Sequence, residues 1–164
     1  MVNTRDIRKK IQKVKLFVLD FDGVMTDDKV YVDENGIEVV CCSRSDGLGI
    51  ELVKKKGIKV IVVSGERSPA VRARCNKLKI PFFQGARSKL EILKRICKTN
   101  NISCSQVCYL GNDVSDIECV KFAGLGCAVR NSHHLLLKVS DYVTTRRGGD
   151  GAVREICDLI VAKS

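Results

Sequence analysis

The chain has 164 residues, 45% of them hydrophobic, and a formal net charge of +10 at pH 7. This length suits one domain with a core of ordinary size, and the apolar content excludes a disordered or fibrous protein. No apolar stretch reaches the roughly 18 residues of a membrane span, and the basic N-terminus lacks the apolar core of an export signal. We therefore expect a cytoplasmic protein with no membrane partner.

Strand-like and helix-like segments alternate along nearly the whole chain, which is typical of an α/β fold with a mainly parallel sheet. Helices are predicted, in chain order, over residues 6–13, 47–56, 69–78, 89–100, 114–123, 133–139 and 152–163. Strands are predicted over residues 16–20, 29–33, 37–42, 59–63, 82–83, 107–110, 126–128 and 142–144. The turn Glu34-Asn35-Gly36 predicts a β-hairpin between the second and third strands.

The cysteines and the basic residues are two further compositional features. Nine Cys, an odd number that includes the adjacent Cys41 and Cys42, argue against a disulfide framework. No CxxC pair is present, so we expect reduced thiols that pack as small apolar side chains. The basic residues are spread along the chain and aromatics are only 5%, which favours an anionic small substrate over nucleic acid.

The segment 16–28, LFVLDFDGVMTDD, is the most informative part of the chain. An apolar run of strand length ends on Asp20, and Asp22 follows one residue later. Both carboxylates are therefore expected to converge beyond the carboxyl end of a strand, where open α/β sheets bind ligands. Two acids in one place repel each other unless a proton or a cation lies between them. The segment predicts a metal-assisted, carboxylate-based reaction centre.

Three further features follow at places where strands or loops end. Ser64 closes the run KVIVVSGE, and a hydroxyl beside the backbone N–H groups of a strand-to-helix turn can bind phosphate oxygens. Lys89 opens a helix and supplies a positive charge. The cluster Asn112-Asp113 with Asp116 adds oxygen ligands of the kind that a hard divalent cation prefers.

These four segments, in this order, resemble the motifs of the haloacid dehalogenase-like phosphatases: DFDGVMTD, the Ser of VVSGE, the Lys of SKL, and GNDVSD. Two longer segments, SDGLGIELVKKKGIKVIVVSGERSPAVRARCNKL and GGDGAVREICDLI, look like the branch of 3-deoxy-D-manno-octulosonate 8-phosphate (Kdo 8-phosphate) phosphatases. The resemblance implies one domain over residues 1–164, with a Rossmann-like three-layer sandwich and a mainly parallel sheet. A β-hairpin flap at about 29–42 is expected, and the segments between the motifs are too short for a cap domain.

The resemblance also implies an Mg²⁺-dependent phosphatase that acts through an aspartyl phosphate. Asp20 would be the nucleophile and Asp22 the general acid and base. Ser64, Gly65 and Lys89 would bind the phosphoryl oxygens.

The same resemblance supplies a metal site. Mg²⁺ would bind the Asp20 carboxylate, the Asp22 backbone carbonyl and either Asn112 or Asp113. The family usually has an acid where this chain has Asn112, so metal affinity is expected to be lower. Supporting roles are expected for Asp116 and Thr26.

The sequence allows two interpretations of the substrate. The overall resemblance favours Kdo 8-phosphate and a place in lipopolysaccharide biosynthesis. Glu66, Ser45 and Asp150, however, stand where that branch usually has Arg or another basic residue, and they look more like the branch that acts on sialic-type nonulosonate 9-phosphates. Asp46 and Arg67 complete the predicted specificity set.

A third interpretation places the chain in another class of protein. Because Asn112 replaces an acid, the chain could be a non-catalytic oligomerisation domain, related to those fused to sialic-acid cytidylyltransferases. Assembly is expected in either case. The run IEVVCC over residues 37–42 is too apolar for a fully exposed ribbon, which favours a homotetramer formed through the hairpin.

Overall fold

Six parallel strands form a single sheet in the computed structural model, which describes residues 4–163. In their order across the sheet the strands are β5 (Phe82–Phe83), β4 (Lys59–Val63), β1 (Leu16–Leu19), β6 (Val107–Gly111), β7 (Leu125–Ala128) and β8 (Tyr142–Val143). A separate antiparallel hairpin consists of β2 (Tyr31–Val32) and β3 (Glu38–Val39). The predicted α/β architecture with a parallel sheet and a hairpin is confirmed.

Helices cover both faces of the sheet because successive strand residues point to opposite sides. Phe17 and Leu19 share one apolar cluster with residues of α1 (Thr4–Ile11), α2 (Arg44–Lys55), α3 (Pro69–Leu78) and α7 (Ala152–Lys163). Leu16 and Val18 share the other cluster with residues of α4 (Lys89–Asn100), α5 (Ile117–Phe122) and α6 (His134–Val139). None of the helices within residues 4–163 is long and apolar enough to cross a lipid bilayer.

Three helices, α3, α4 and α7, begin and end where the sequence predicts, and for the first two the caps are explicit. The Ser68 side chain accepts a hydrogen bond from the Ala70 N–H, and Pro69 occupies the first turn of α3. The Ser88 side chain accepts from the Glu91 N–H at the start of α4. Asn101 then ends α4 in the left-handed conformation.

Other boundaries differ from the prediction. Helix α1 ends at Ile11 instead of residue 13, and α2 begins at Arg44 instead of Gly47 because its first turn is polar. The predicted helix 114–123 divides into a 3-10 turn, Val114–Asp116, followed by α5. A second 3-10 turn, Cys104–Gln106, precedes β6.

The hairpin is shorter than the strands 29–33 and 37–42 that the sequence predicts. Its ladder pairs Tyr31 with Val39 and Val32 with Glu38, and the Asp33 N–H donates a hydrogen bond of 3.1 Å to the Ile37 carbonyl. Its loop is closed by the Asp33 carboxylate, which accepts hydrogen bonds from the N–H groups of Asn35 and Ile37. An antiparallel bridge between Thr26 and Cys42 ties the base of the hairpin to the segment after β1.

The cysteines are all free thiols, as the sequence predicts. Cys75, Cys97, Cys108, Cys119, Cys127 and Cys157 are buried. They pack as apolar side chains in the two clusters between the helices and the sheet.

The loop after β8 packs directly on the loop after β1. A Cβ atom built on Gly148 would lie 1.7 Å from the carbonyl oxygen of Gly23, so no larger residue fits there. The neighbouring Gly149 N–H donates a hydrogen bond of 3.0 Å to the Val24 carbonyl. This contact fixes the path of the DFDG segment beyond the sheet.

We expect Gly148→Ala to lower the free energy of unfolding by about 1–3 kcal/mol, because the methyl group must displace backbone. Any activity that depends on the DFDG segment should fall with it, since the displaced backbone carries Gly23. Urea unfolding and initial rates measure both quantities. Gly57→Ala is the control: Gly57 has φ +78 with open space around it, so only backbone strain of about 1 kcal/mol is expected, with activity retained. Wild-type stability and activity in Gly148→Ala would contradict the tight contact.

Candidate active site

The carboxyl ends of the neighbouring strands β4, β1 and β6 meet at one edge of the sheet. Asp20 directly follows β1, Ser64 follows β4 and Asn112 follows β6. A cavity of about 660 Å³ opens above them. It is lined by Asp20, Asp22, Asp28, Gly65, Glu66, Ala86, Arg87, Ser88, Lys89, Leu90, Asn112, Asp113, Val114, Ser115 and Glu118. The strand order switches direction at β1, which is where α/β sheets bind ligands.

A buried ion triad forms the floor of the cavity. The Lys89 ammonium lies 2.7 Å from Asp20 Oδ2 and 2.8 Å from Asp116 Oδ1. All three side chains are buried. The other Asp20 oxygen, Oδ1, accepts a 2.7 Å hydrogen bond from the Phe21 N–H. The triad joins β1, the first turn of α4 and the loop after β6, and it fixes Asp20 in one orientation.

Burial is the largest influence on the pKa of Asp20. Loss of hydration and, next, the negative charge of Asp116 raise the pKa of Asp20 to about 8, although the Lys89 charge acts in the opposite direction. The pKa of Lys89 is raised as well: burial alone would lower it, but the charges of Asp20 and Asp116 outweigh burial. Lys89 therefore stays an ammonium ion, and a further cation near Asp20 would favour its carboxylate form.

Asp22 lies beside this triad in a less buried position. Burial and then the charge of Glu66 raise the pKa of Asp22, and the hydroxyl of Ser64 partly opposes this. The Ser64 Oγ lies 3.5 Å from Asp22 Oδ2, and it also accepts from the Glu66 N–H at 3.2 Å. A carboxyl group with a raised pKa in a cavity is suited to proton transfer near neutral pH.

The side chain of Asn112 lies against Gly23. A Cβ atom on Gly23 would lie 1.9 Å from the Asn112 side-chain nitrogen, so Gly23, at φ +75, is required for this approach. The Thr26 hydroxyl supports the same turn by accepting a hydrogen bond from the Gly23 N–H at 3.0 Å. These contacts bring the amide of Asn112 close to the backbone of Gly23, directly after Asp22.

Asp113 has a different environment. Its side chain caps the following turn by accepting a 2.6 Å hydrogen bond from the Val114 N–H, and the residue is solvent-exposed. Its charge contributes, after burial, to the raised pKa of Asp28 across the cavity. Of the two residues that could serve as metal ligands, Asn112 is the buried one and Asp113 is the exposed cap.

The donor set fits a hard divalent cation such as Mg²⁺. Six acids line the cavity, namely Asp20, Asp22, Asp28, Glu66, Asp113 and Glu118, against two basic residues, Arg87 and Lys89. Within residues 4–163 no three His, Cys, Asp or Glu side chains are arranged to hold a metal by themselves. A site here would therefore combine the Asp20 carboxylate with an amide or backbone oxygen, donors that Mg²⁺ accepts.

The comparisons with known proteins agree with this geometry. Residues 82–156 match the family model of the haloacid dehalogenase-like hydrolases. The Kdo 8-phosphate phosphatase KdsC of Escherichia coli (strain B / BL21-DE3) is 36% identical over 157 residues, which are 95% of this chain and 84% of that protein. The chain belongs to the haloacid dehalogenase-like hydrolases. The resemblance found in the sequence is confirmed.

Two solved structures are close to this hydrolase along nearly its whole length. One is the Kdo 8-phosphate phosphatase of Moraxella catarrhalis in complex with magnesium, phosphate and KDO, with a TM-score of 0.96 and 36% identity. The match covers 99% of this chain and 94% of that one. The other is the Kdo 8-phosphate phosphatase of Yersinia pestis, with a TM-score of 0.94, 35% identity, and coverage of 96% and 86%.

The specificity residues predicted for this hydrolase fall into two places. Glu66 lines the main cavity. Glu66 and Arg67 together line a smaller adjoining cavity of about 360 Å³ at the base of the hairpin. Ser45 and Asp150 line a separate cavity of about 650 Å³ beside α7. The structure therefore does not bring these two residues to Asp20 within one chain.

Asp46 is buried at the contact between α2 and α7. Its Oδ1 accepts a 2.8 Å hydrogen bond from the Arg154 N–H at the start of α7, and the residue is buried. Burial raises the pKa of Asp46 to about 6. This position couples α2 to α7 and does not line the cavity that holds Asp20.

Sequence reasoning did not include Tyr109 or Asp28 in the site. Tyr109 lies within an apolar strand, so its pattern predicts only a core residue, yet its hydroxyl bonds to Asp116 at 2.7 Å. Asp28 occupies a left-handed conformation at φ 67 and lines the cavity. The second Asp of the sequence TDD, at the end of the DFDGVMTDD segment, is the signal that could have indicated it.

In metal-free buffer we expect the stability of the hydrolase to fall as the pH rises from about 4 to about 8. The unfolded Asp20 has an ordinary pKa of 3.8 and the folded one about 8, so in this window the folded state holds a proton that the unfolded state releases. Asp20→Asn cannot titrate and should show a shallower decline. Urea unfolding with a chelator at pH 5 to 8 measures the slopes.

Asp158→Asn is the matched control, because Asp158 is an exposed acid on α7 that pairs with Arg154. It should keep the wild-type slope. Parallel curves for wild type and Asp20→Asn would show that Asp20 is not the group that titrates.

Proposed function

We propose that the chain is an Mg²⁺-dependent phosphatase that hydrolyses Kdo 8-phosphate to Kdo and inorganic phosphate. The observation that carries the proposal is the match along 99% of the chain to a Kdo 8-phosphate phosphatase with magnesium, phosphate and KDO bound. The buried triad of Asp20, Lys89 and Asp116 supports it, since it orients a nucleophilic carboxylate beside a fixed positive charge. A phosphomonoester hydrolase is the class of enzyme that both observations favour.

In the first step, we assign Asp20 as the nucleophile. One Asp20 oxygen forms a bond to phosphorus while the bond from phosphorus to the sugar oxygen breaks. Asp22 donates its proton to the leaving alkoxide, for which its raised pKa suits it. The products of this step are the free sugar acid and an aspartyl phosphate on Asp20.

In the second step, Asp22 accepts a proton from water as the water oxygen attacks phosphorus. The bond between phosphorus and the Asp20 oxygen breaks, which returns the Asp20 carboxylate and releases phosphate. Ser64, the Gly65 N–H and Lys89 bind the phosphoryl oxygens in both steps. Gly65 and Lys89 are neighbours in the lining of the cavity, since a Cβ atom built on Gly65 would lie 3.9 Å from Lys89 Cε. Both can therefore contact the same phosphoryl group.

Mg²⁺, when bound, would supply the positive charge that lets a phosphate dianion enter a cavity lined mainly by acids. We propose Asp20, the Asp22 carbonyl and Asn112 as the residues that hold it. The burial of Asn112 against Gly23 supports Asn112 over Asp113, whose carboxylate caps the Val114 turn. Thr26 and Asp116 keep the supporting roles expected from the sequence.

The two alternative functions are not favoured by the comparisons, in which the named phosphatases act on Kdo 8-phosphate. Glu66 and Arg67 are still the residues best placed to select between eight- and nine-carbon substrates, because they border the cavity at the base of the hairpin. Ser45, Asp46 and Asp150 lie beside α7, outside that cavity. A cytoplasmic location and the absence of nucleic-acid and membrane partners stay predictions, as does one domain over residues 1–164, of which 1–3 and 164 lie outside the described residues.

We expect purified wild-type chain with Mg²⁺ to release phosphate from Kdo 8-phosphate faster than from a sialic-type nonulosonate 9-phosphate. Asp20→Asn should lower kcat on the order of a thousandfold or more, because it removes the nucleophile. Phosphate release from both substrates, measured side by side, tests this. Asp158→Asn should retain wild-type rates. Unchanged turnover in Asp20→Asn would refute the assignment.

We also propose a homotetramer formed through the hairpin. Five apolar side chains in the segment 30–39, which contains the hairpin, are exposed, with Tyr31 at 63% and its cross-strand partner Val39 at 58%, a pattern that indicates a protein interface. No cap domain covers the cavity within residues 4–163, so a neighbouring subunit would exclude water from it. The adjoining cavity at the hairpin base supports this, since it lies between Asp22 and Val30.

The double variant Tyr31→Lys/Val39→Lys should therefore be monomeric and lose specificity for Kdo 8-phosphate over p-nitrophenyl phosphate. Light scattering and the ratio of kcat/KM values measure both effects. Leu135→Lys, a change at another exposed apolar side chain on α6, is the control and should leave the assembly intact. A wild-type chain that is a stable monomer with full activity would contradict the tetramer.

A further inference from the structure

Tyr109 is a buried polar residue next to the active site, and the proposed catalytic steps do not use it. It lies in the centre of β6, has no exposed surface, and packs in the apolar cluster that contains Leu16, Val18 and Leu93. Its hydroxyl donates a 2.7 Å hydrogen bond to Asp116 Oδ1. A phenylalanine would fill the same apolar space, so the hydroxyl is the part of the side chain that requires an explanation.

Asp116 is the residue that receives this hydrogen bond, and each of its oxygens has two donors. Oδ2 accepts from the N–H groups of Asn112 and Asp113 at 2.9 and 3.3 Å. Oδ1 accepts from Tyr109 and from the Lys89 ammonium, the latter at 2.8 Å. Because Asp116 is fully buried, these four donors are its solvation, and together they fix the carboxylate in one orientation.

Lys89 and Tyr109 thus share one oxygen. The Lys89 ammonium is held between Asp116 and Asp20, at nearly equal distances of 2.8 and 2.7 Å. A second donor on Asp116 Oδ1 reduces the negative potential that this oxygen exerts on the ammonium. Without the hydroxyl, the ammonium would be drawn towards Asp116 and away from Asp20, since the attraction of a buried ion pair is strong.

We propose that Tyr109 is a positioning residue that sets how Lys89 is divided between Asp116 and the reacting groups. This rests on the proposed phosphatase function, in which Lys89 binds phosphoryl oxygens. Burial raises the pKa of Tyr109 well above its ordinary value, so the hydroxyl keeps its proton and always donates. The hydroxyl alone has this role, and the aromatic ring has no part in it.

The chain contains a matched control. Tyr142 also donates its hydroxyl to a carboxylate, Glu155 Oε1 at 2.8 Å, but it lies on β8 and lines no part of the cavity with Asp20. Tyr109→Phe and Tyr142→Phe therefore remove the same kind of bond, one inside the site and one outside it. A merely structural role for Tyr109 predicts that neither variant changes the affinity for phosphate.

With Mg²⁺ and Kdo 8-phosphate, kcat/KM should fall about tenfold in Tyr109→Phe, equal to about 1.4 kcal/mol, and stay within twofold in Tyr142→Phe. Calorimetry should show inorganic phosphate binding about fivefold more weakly to Tyr109→Phe only. Equal kcat/KM and equal phosphate affinity in the two variants would overturn the proposal and leave the phosphatase function standing. A wild type that binds phosphate but does not hydrolyse Kdo 8-phosphate would instead refute the function, and the phosphate affinities would still decide the role of Tyr109.

A measurement on the wild-type sequence covers the case in which Tyr109→Phe does not fold. The chain has three tyrosines, so 3-fluorotyrosine labelling gives three fluorine signals, assigned with Tyr31→Phe and Tyr142→Phe. Phosphate with Mg²⁺ should shift the signal of residue 109 and leave that of residue 142 in place. A signal of residue 109 that does not respond to phosphate overturns the proposal.

Discussion

The ion triad of Asp20, Lys89 and Asp116 is the interaction on which the site depends. Two carboxylates and one ammonium are removed from water, which costs several kcal/mol per ion before their attraction is counted. A buried group of this kind is a poor source of stability. It does hold together three segments that are distant in sequence, and once Asp20 is ionised it leaves one net negative charge beside an open cavity. The arrangement is understandable as a means of orienting Asp20, with the apolar clusters on both faces of the sheet providing the stability.

The cavity is acidic although the chain is basic. A net charge of +10 attracts anions to the protein as a whole, whereas the lining of the cavity has six acids against two basic residues. The protein as a whole therefore attracts an anionic substrate, whereas the lining of the cavity repels its phosphate. A divalent cation at Asp20, as proposed, would resolve this opposition, because it would supply positive charge only where the phosphate must bind. The same cation would favour the carboxylate form of Asp20, whose pKa burial raises to about 8.

Local signals determined how far the fold could be predicted. Helices α3 and α4 and strand β4 have the predicted bounds because Ser68, Ser88 and the Val/Ile run are unambiguous. The site followed from the four motifs, since parallel strands bring their carboxyl ends together. The positions of Ser45 and Asp150 could not be predicted, because they depend on how α2 packs against α7. Tyr109 was missed for a related reason: in one dimension a tyrosine in an apolar strand has the pattern of a core residue.

Asn112 illustrates how the charges of the site constrain one another. Its side chain lies against Gly23 and lines the cavity that contains Asp20. A carboxylate at this position would add a further negative charge to a cavity that already has six acids, and it would make ionisation of Asp20 harder. The amide supplies an oxygen donor without that charge. With Asn112 as a ligand we therefore expect weaker binding of the cation and a lower electrostatic cost of the metal-free site, so that catalysis would require an abundant cation.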